Sequence, residues 1–274
     1  MKKLSIISIA IFVTILTSQL VAYAVPWLGS ITRNNDIQIT NVNRYEPSGL
    51  AWNSLNDRLF AVSDDGRVTR MNLDGTGQET VNFSYRDPNN GGTYRDFEAI
   101  TIADPSSDKL YIGVEHRDSI VEIEWPEGGN ISVTRAWDLT NVLIGSNNSG
   151  LEGLTFVPNA YLPENVSPSD SGGLFYAAVQ RAVNLGDVAT NNDYLIYAFD
   201  LDLSANGTTI VDPDVAHGIT YAAGTPTSDI SDMFFSKDTG VLSVLYDGAN
   251  RLIEMNTEGV VLNDYSNVPV LDQE

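Results

Sequence analysis

Apolar and polar residues alternate with a period of two along most of the chain. Leu110, Ile112 and Val114 alternate with Tyr111 and Gly113, and Val121, Ile123 and Trp125 alternate with Glu122 and Glu124. Leu195, Tyr197, Phe199, Leu201 and Leu203 form a longer run, and Leu242 and Val244 start another. Successive side chains of a strand point to opposite faces, so this period predicts half-buried β-strands. Asp65-Gly66, Asp74-Gly75, Gly128-Gly129, Asn206-Gly207 and Asp247-Gly248 supply turn signals between the runs, at the spacing of about 8–12 residues usual for short-stranded all-β chains. No stretch carries the 3.6-residue period for more than two turns. The expected class is all-β.

The strands come in modules with a shared five-residue opening: Glu46-Pro47-Ser48-Gly49-Leu50, Asp96-Phe97-Glu98-Ala99-Ile100, Gly150-Leu151-Glu152-Gly153-Leu154 and Asp229-Ile230-Ser231-Asp232-Met233. A second strand follows at Leu59, Leu110 or Leu242, and in the third module an insertion from Asn159 to Ser171 delays it to Leu174. Openings at intervals of 50, 54 and 79 residues suit the blades of a β-propeller. The long third interval leaves room for the insertion and for an extra blade. A sandwich would not need the same opening four times. Asp272-Gln273-Glu274 repeats the first three positions of the opening, with Glu274 in phase with Ser231. The expectation is a propeller of five or six blades in complete form, with its last blade missing from these 274 residues.

Composition narrows the function. Fifteen Lys and Arg face 36 Asp and Glu, a formal charge of −21. That balance argues against nucleic acid and against anionic membrane surfaces, which both need cationic side chains. The absence of cysteine removes disulfides, thiolate nucleophiles and Cys-based metal sites. Met1-Lys2-Lys3, the apolar stretch Leu4–Val21 and Ala22-Tyr23-Ala24 have the form of a signal peptide cleaved after Ala24. This predicts a secreted or periplasmic domain over residues 25–274. Asn82, Asn130, Asn147, Asn165 and Asn206 stand in Asn-x-Ser/Thr triplets, read here as chance in a chain of bacterial character. The expected partner is a small molecule or a surface ligand bound by a monomer, with no nucleic acid and no membrane beyond the signal peptide.

From about Asn41 onward the ordered motifs resemble the SdiA-regulated family of bacterial secreted or periplasmic β-propellers. Glu46-Pro47-Ser48-Gly49-Leu50 with Leu59-Phe60-Ala61-Val62-Ser63-Asp64 carries the resemblance, as does Asp96-Phe97-Glu98-Ala99-Ile100 with Glu115-His116-Arg117-Asp118. Gly150-Leu151-Glu152-Gly153-Leu154 and Asp229-Ile230-Ser231 complete it. Related calcium-centred propellers, including lactonases and phytase-like esterase domains, also open a blade on an acidic residue. The resemblance implies a metal-centred channel.

Strand alternation puts positions one, three and five of each opening on one face. If the polar set points to the channel mouth, Glu46, Asp96, Glu98 and Glu152 converge there, with Ser48, Ser231 and Asp229 in matching places. Asp64, Glu115 and Gln180 return to the same end after the second strands. Calcium takes 6–8 oxygen ligands at about 2.3–2.6 Å in irregular geometry, so Glu46, Asp64, Asp96, Glu98, Glu115 and Glu152 are the candidate Ca²⁺ ligands. The alternative is that these acids cap turns and face solvent. Asp200-x-Asp202-x-Ser204-x-Asn206-Gly207 has Gly at position eight and Val211 at position twelve, unlike an EF-hand loop; it reads as a strand running into an Asn-Gly turn. Of the two histidines, His116 follows Glu115 at the suspected mouth and is the candidate general base. No Gly-x-Ser-x-Gly elbow is present. The expected function is a secreted calcium-binding propeller with a ligand-binding or scaffold role. The alternative is a calcium-dependent hydrolase of esters, lactones or phosphoesters using His116. A third reading is a surface interaction domain with the Asn159–Ser171 insertion as its contact loop.

Overall fold

The computed structural model describes residues 37–40, 42–143, 150–180, 195–211, 216–219 and 230–268. The signal-peptide segment, Asp229 and Asp272–Glu274 lie outside the described residues. Four sheets, each built on four antiparallel strands, follow one another along the chain. Blade 1 is β1 (Pro47–Asn53), β2 (Arg58–Ser63), β3 (Arg67–Met71) and β4 (Glu79–Asn82). A small hairpin, β5 (Tyr85–Arg86) and β6 (Thr93–Tyr94), precedes blade 2: β7 (Phe97–Thr101), β8 (Lys109–Val114), β9 (Ser119–Glu124) and β10 (Ser132–Asp138). Blade 3 is β11 (Leu151–Pro158), β12 (Gly173–Val179), β13 (Ile196–Phe199) and β15 (Ala216–Ile219), with β14 (Gly207–Ile210) between the last two in sequence. Blade 4 is β16 (Ile230–Ser236), β17 (Val241–Tyr246), β18 (Arg251–Met255) and β19 (Val261–Ser266). Among the described residues the only helices are single 3₁₀ turns at Glu115–Arg117 and Asn159–Tyr161, and no helix is long and apolar enough to cross a membrane.

The innermost strands neighbour one another in chain order, β1 on β7, β7 on β11 and β11 on β16, and β16 reaches β1 over a shorter stretch. This is the arrangement of a β-propeller. Glycine permits the closest approaches. A Cβ on Gly49 would lie 2.8 Å from Ala99 Cα, and one on Gly153 would lie 3.1 Å from Met233 Cγ. Aromatic rings on the second strands close the seams. Phe60 packs on Trp125 of blade 2 at 6.3 Å, Tyr111 on Phe175 of blade 3 at 4.8 Å, and the Tyr176 hydroxyl donates to Thr257 O of blade 4 at 3.3 Å. Each such ring removes a large apolar area from water, and that burial is the main favourable term in blade stacking.

Two expectations need correction. Among the described residues, the long third interval holds no extra blade. Its insertion stays on blade 3 and leans on blade 4, with the Tyr161 ring 5.2 Å from Phe235 and Thr257 Oγ1 donating to Tyr161 O at 2.6 Å. The same interval also delivers β14, which pairs in parallel with β10 and becomes a fifth strand on blade 2. The strand expected from Leu195 to Leu203 stops at Phe199. Asp200 accepts from Ser169 Oγ at 2.5 Å, and Asp202 accepts the Ser204 N–H at 2.7 Å, so side-chain acceptors replace the ladder. Four blades are described.

Candidate functional site

All four opening motifs share a backbone irregularity that the sequence pattern did not reveal. The pairing of innermost with second strand skips one residue between Pro47 and Gly49, Phe97 and Ala99, Leu151 and Gly153, and Ile230 and Asp232. The third position of each opening (Ser48, Glu98, Glu152 and Ser231) is therefore the extra residue of a β-bulge, which re-aims its side chain. This corrects the expectation that positions one, three and five share a face. Glu46 and Asp96 at position one and Ser48, Glu98, Glu152 and Ser231 at position three line the channel mouth, whereas Ile100, Leu154 and Met233 at position five are buried in the core between blades.

The mouth is a cavity of about 630 Å³ to which every blade contributes. It brings together all six candidate ligands, Glu46, Asp64, Asp96, Glu98, Glu115 and Glu152, together with His116, Ser48, Gln180 and Ser231. Asp232 and Asp247 complete its acidic lining and were not anticipated. Asp247 follows the second strand of blade 4 as Asp64, Glu115 and Gln180 follow theirs, so the repeat itself held the signal. Asp232 occupies a position where the other openings carry Gly or Ala, and only the bulge turns it inward. Among the described residues lining the cavity there is no Lys or Arg.

Backbone bonds tie the parts together. Glu115 N donates to Asp96 O and Gln180 N to Gly150 O, each at 3.0 Å, joining the residue after the second strand to position one of the opening. The Glu115–Arg117 turn is pinned from outside. Arg117 Nη2 donates to Asp138 Oδ2 at 2.5 Å and its Nε to Asp87 Oδ2 at 3.1 Å. Asp118, at φ 37°, ends the turn in the left-handed region. Glu115 Oε1 then accepts the Gly150 N–H, and Asp118 Oδ1 the Leu151 N–H, each at 3.1 Å. Two carboxyl groups of blade 2 thus hold the opening of blade 3.

The ligating atoms of Asp96, Glu115 and His116 lie within 4.8 Å of one another. His116 Nδ1 is paired with Asp96 Oδ2 and stands 3.9 Å from Glu115 Oε2. The ring is half exposed and lines the cavity rather than pointing away from it. His217 falls on β15, the outer strand of blade 3.

Crowding perturbs the acids. Burial pushes Glu115 up, opposed by the Gly150 N–H and the Glu152 carboxyl. Asp64 is raised by burial and then by the neighbouring charge of Glu46. Asp232 is pushed up to about 7 by burial, although it accepts the Met233 N–H at 2.7 Å. Asp64 Oδ1 and the Ser231 hydroxyl are buried without a partner. A hard cation fits this donor set: it would neutralise the crowded carboxylates and give the orphaned oxygens a partner.

A family model described as "Phytase-like: Esterase-like activity of phytase" matches residues 46–265. No curated protein matches the chain in sequence. Among solved structures, Myxococcus xanthus glutaminyl cyclase is similar with a TM-score of 0.47 at 11% identity, over 80% of this chain and 70% of that one. Kuenenia stuttgartiensis hydrazine synthase is similar at 0.42 and 14% identity, over 85% of this chain and 53% of that one. The β-propeller domain of Myceliophteria thermophila Cps50 (Swd1) is similar at 0.40 and 10% identity, over 76% and 51%. Likenesses this distant carry no function across.

Proposed function

The chain belongs to the phytase-like family of propellers, and from that premise we propose that it is an exported calcium-binding propeller of the SdiA-regulated type, which takes an oxygen-rich ligand at its channel mouth. The observation that carries this reading is the convergence of four blades on one cavity lined by Glu46, Asp64, Asp96, Glu98, Glu115, Glu152, Asp232 and Asp247. Asp96, Glu115, Glu98 and Glu152 would hold the ion, with Glu46 and Asp64 closing the site from blade 1. His116, a nitrogen donor, stays outside an all-oxygen calcium shell.

The test is thermal unfolding in EDTA and in millimolar CaCl₂, with MgCl₂ as control. A ligand that binds only the folded state stabilises it by about 2.7 kcal/mol at a hundredfold excess over Kd. The reading expects an upward shift with calcium, absent with magnesium and reduced in Asp96→Asn. No shift with calcium would remove the metal from the site.

A second reading, hydrolysis of an ester or phosphoester at the same mouth, is favoured by the pairing of Asp96 with His116 Nδ1. A carboxylate on Nδ1 fixes the tautomer that leaves Nε2 free to accept a proton. His116 Nε2 takes a proton from water as the water oxygen adds to the ester, and returns it to the departing alcohol as the C–O or P–O bond breaks. Calcium, when bound, supplies Lewis-acid polarisation of the carbonyl or phosphoryl oxygen. A screen of p-nitrophenyl acetate and p-nitrophenyl phosphate with calcium tests it. His116→Gln should lower turnover by about 10²-fold or more while leaving calcium binding intact; unchanged turnover would leave the binding role alone.

A further inference from the structure

The channel mouth offers two kinds of donor. Every blade brings oxygens to it, but among the described residues lining it only His116 brings an imidazole nitrogen. That nitrogen is turned back into the acidic lining: Nδ1 is paired with Asp96 Oδ2 and stands 3.9 Å from Glu115 Oε2, and the three ligating atoms lie within 4.8 Å of one another. All three residues belong to blade 2, so their grouping does not depend on how the blades close.

Each member is held by a different constraint. The main chains of Asp96 and Glu115 are joined by the Glu115 N–H to Asp96 O bond at 3.0 Å. The Glu115 carboxylate accepts the Gly150 N–H at 3.1 Å, and a Cβ on Gly150 would lie 3.1 Å from Glu115 Cγ, so glycine leaves the space in which that side chain is seated. His116 is the middle residue of the single 3₁₀ turn Glu115–Arg117, which the bonds from Arg117 to Asp87 and Asp138 fix from outside. The side chains of Glu115, Asp96 and His116 are 7%, 19% and 46% exposed. The group is therefore closed on its carboxylate side and open on the ring side, where an ion enters and where water completes its coordination.

We propose that Asp96, Glu115 and His116 form a transition-metal site, which takes a dication of the manganese-to-zinc series through His116 Nδ1 and one carboxylate oxygen each from Asp96 and Glu115. Imidazole suits these ions, whereas calcium takes oxygen ligands. Three protein ligands with an open position are the pattern of a reactive or exchangeable site rather than a closed structural one. One consequence rests on the calcium reading: Asp96 and Glu115 are common to both ions, so the two exclude each other. A second concerns hydrolysis at the same mouth. An ion on Nδ1 leaves the ring proton on Nε2, which removes the base. A transition ion at the triad is thus an inhibitor of that reaction.

The test is titration of the chelator-treated protein, free of any polyhistidine tag, with CoCl₂, followed by calorimetry and by the visible absorption of bound cobalt. One ion per chain should bind. His116→Gln should weaken it by at least the about 10–100-fold lost when a metal ligand loses its hydrogen-bond partner, and should change the visible spectrum as the nitrogen donor leaves. His217→Gln should alter neither, and calcium affinity should be unchanged in His116→Gln. Absence of the cobalt bands, or equal cobalt affinity in His116→Gln, overturns the proposal and leaves His116 as an ion-pair partner of Asp96. Excess CaCl₂ should displace the cobalt; calcium that binds without displacing it overturns the shared use of Asp96 and Glu115. His116-dependent cobalt binding in a protein that binds no calcium upholds the triad and removes the calcium reading, so the two fail separately.

Discussion

At the seam between blades 2 and 3, Tyr111 and Trp137 stand 4.8 and 6.4 Å from Phe175, and the side chain of Leu151 occupies the space a Cβ on Gly113 would need. Glu115 and Asp118 take the first N–H groups of the next blade. At the seam between blades 4 and 1, the facing innermost strands hold Phe234, Leu50 and Trp52, and all three are exposed. The difference reaches the channel mouth. Glu115 and Glu152, beside the closed seam, are buried, Asp96 is half-buried, and Glu46, beside the open seam, is exposed. Closing a seam and building the mouth are therefore one event, since Glu115 serves both: its carboxylate secures Gly150 and lines the cavity.

Truncating the ring at the centre of the closed seam should have the largest effect. Phe175→Ala should cost about 3–5 kcal/mol, the range for emptying a packed aromatic site. Trp52→Ala, at the open seam, should cost less than about 0.5 kcal/mol, as surface changes do. Urea midpoints at unchanged m-value measure both. Equal losses would break the comparison.

Calcium affinity should divide the same way. Asp96→Asn and Glu152→Gln, on the preorganised side, should each weaken calcium by about tenfold or more, equivalent to about 1.4 kcal/mol. Glu46→Gln should weaken it by only a few-fold, because its carboxylate must first be ordered. Titration calorimetry reads the three constants. A Glu46 effect as large as that of Glu152 would show that the open side is as well organised when loaded.

Next comes the clamp. Asp118→Ala leaves the Leu151 N–H without its acceptor at the closed seam and should destabilise by about 1–3 kcal/mol. Asp118→Asn keeps an oxygen there and should recover most of the loss. Tyr111 gives a smaller, pH-dependent effect. Burial raises its phenol, with the charge of Glu122 adding to the rise. A folded-state value above the unfolded one of about 10 means a contribution complete below pH 10 and lost as pH rises beyond it, at about 1.4 kcal/mol per pH unit. Unfolding measured from pH 9 to 11 should show a shallower loss in Tyr111→Phe.

Much of this architecture is legible in the sequence because propellers repeat. Four openings at near-regular intervals marked four innermost strands, and the residues after the second strands marked the mouth. What stayed hidden is geometry that leaves no compositional trace. A bulge needs no special residue, so the inward turn of Ser48, Glu98, Glu152 and Ser231 could not be separated from plain alternation, and position five was placed on the wrong face. β14 joins blade 2 through a parallel pairing with β10, a long-range choice that no local signal in Gly207–Ile210 expresses. The strand after Leu195 ended early because Asp200 and Asp202 found side-chain and turn partners, which outcompeted a favourable apolar period.

The smallest expected effect bears most directly on the open seam. In the 274-residue chain, Phe234→Ala removes an apolar ring already 63% exposed, so the unfolding free energy should move by less than about 0.5 kcal/mol. Met233→Ala, one residue earlier and 4% exposed against blade 3, should cost about 2–5 kcal/mol. Two adjacent apolar residues on one strand differ in this way only because one face of blade 4 has a neighbour. If Phe234→Ala destabilises this chain as much as Met233→Ala, that face is already covered in solution, and the asymmetry between the seams disappears together with the uneven order of the mouth that follows from it.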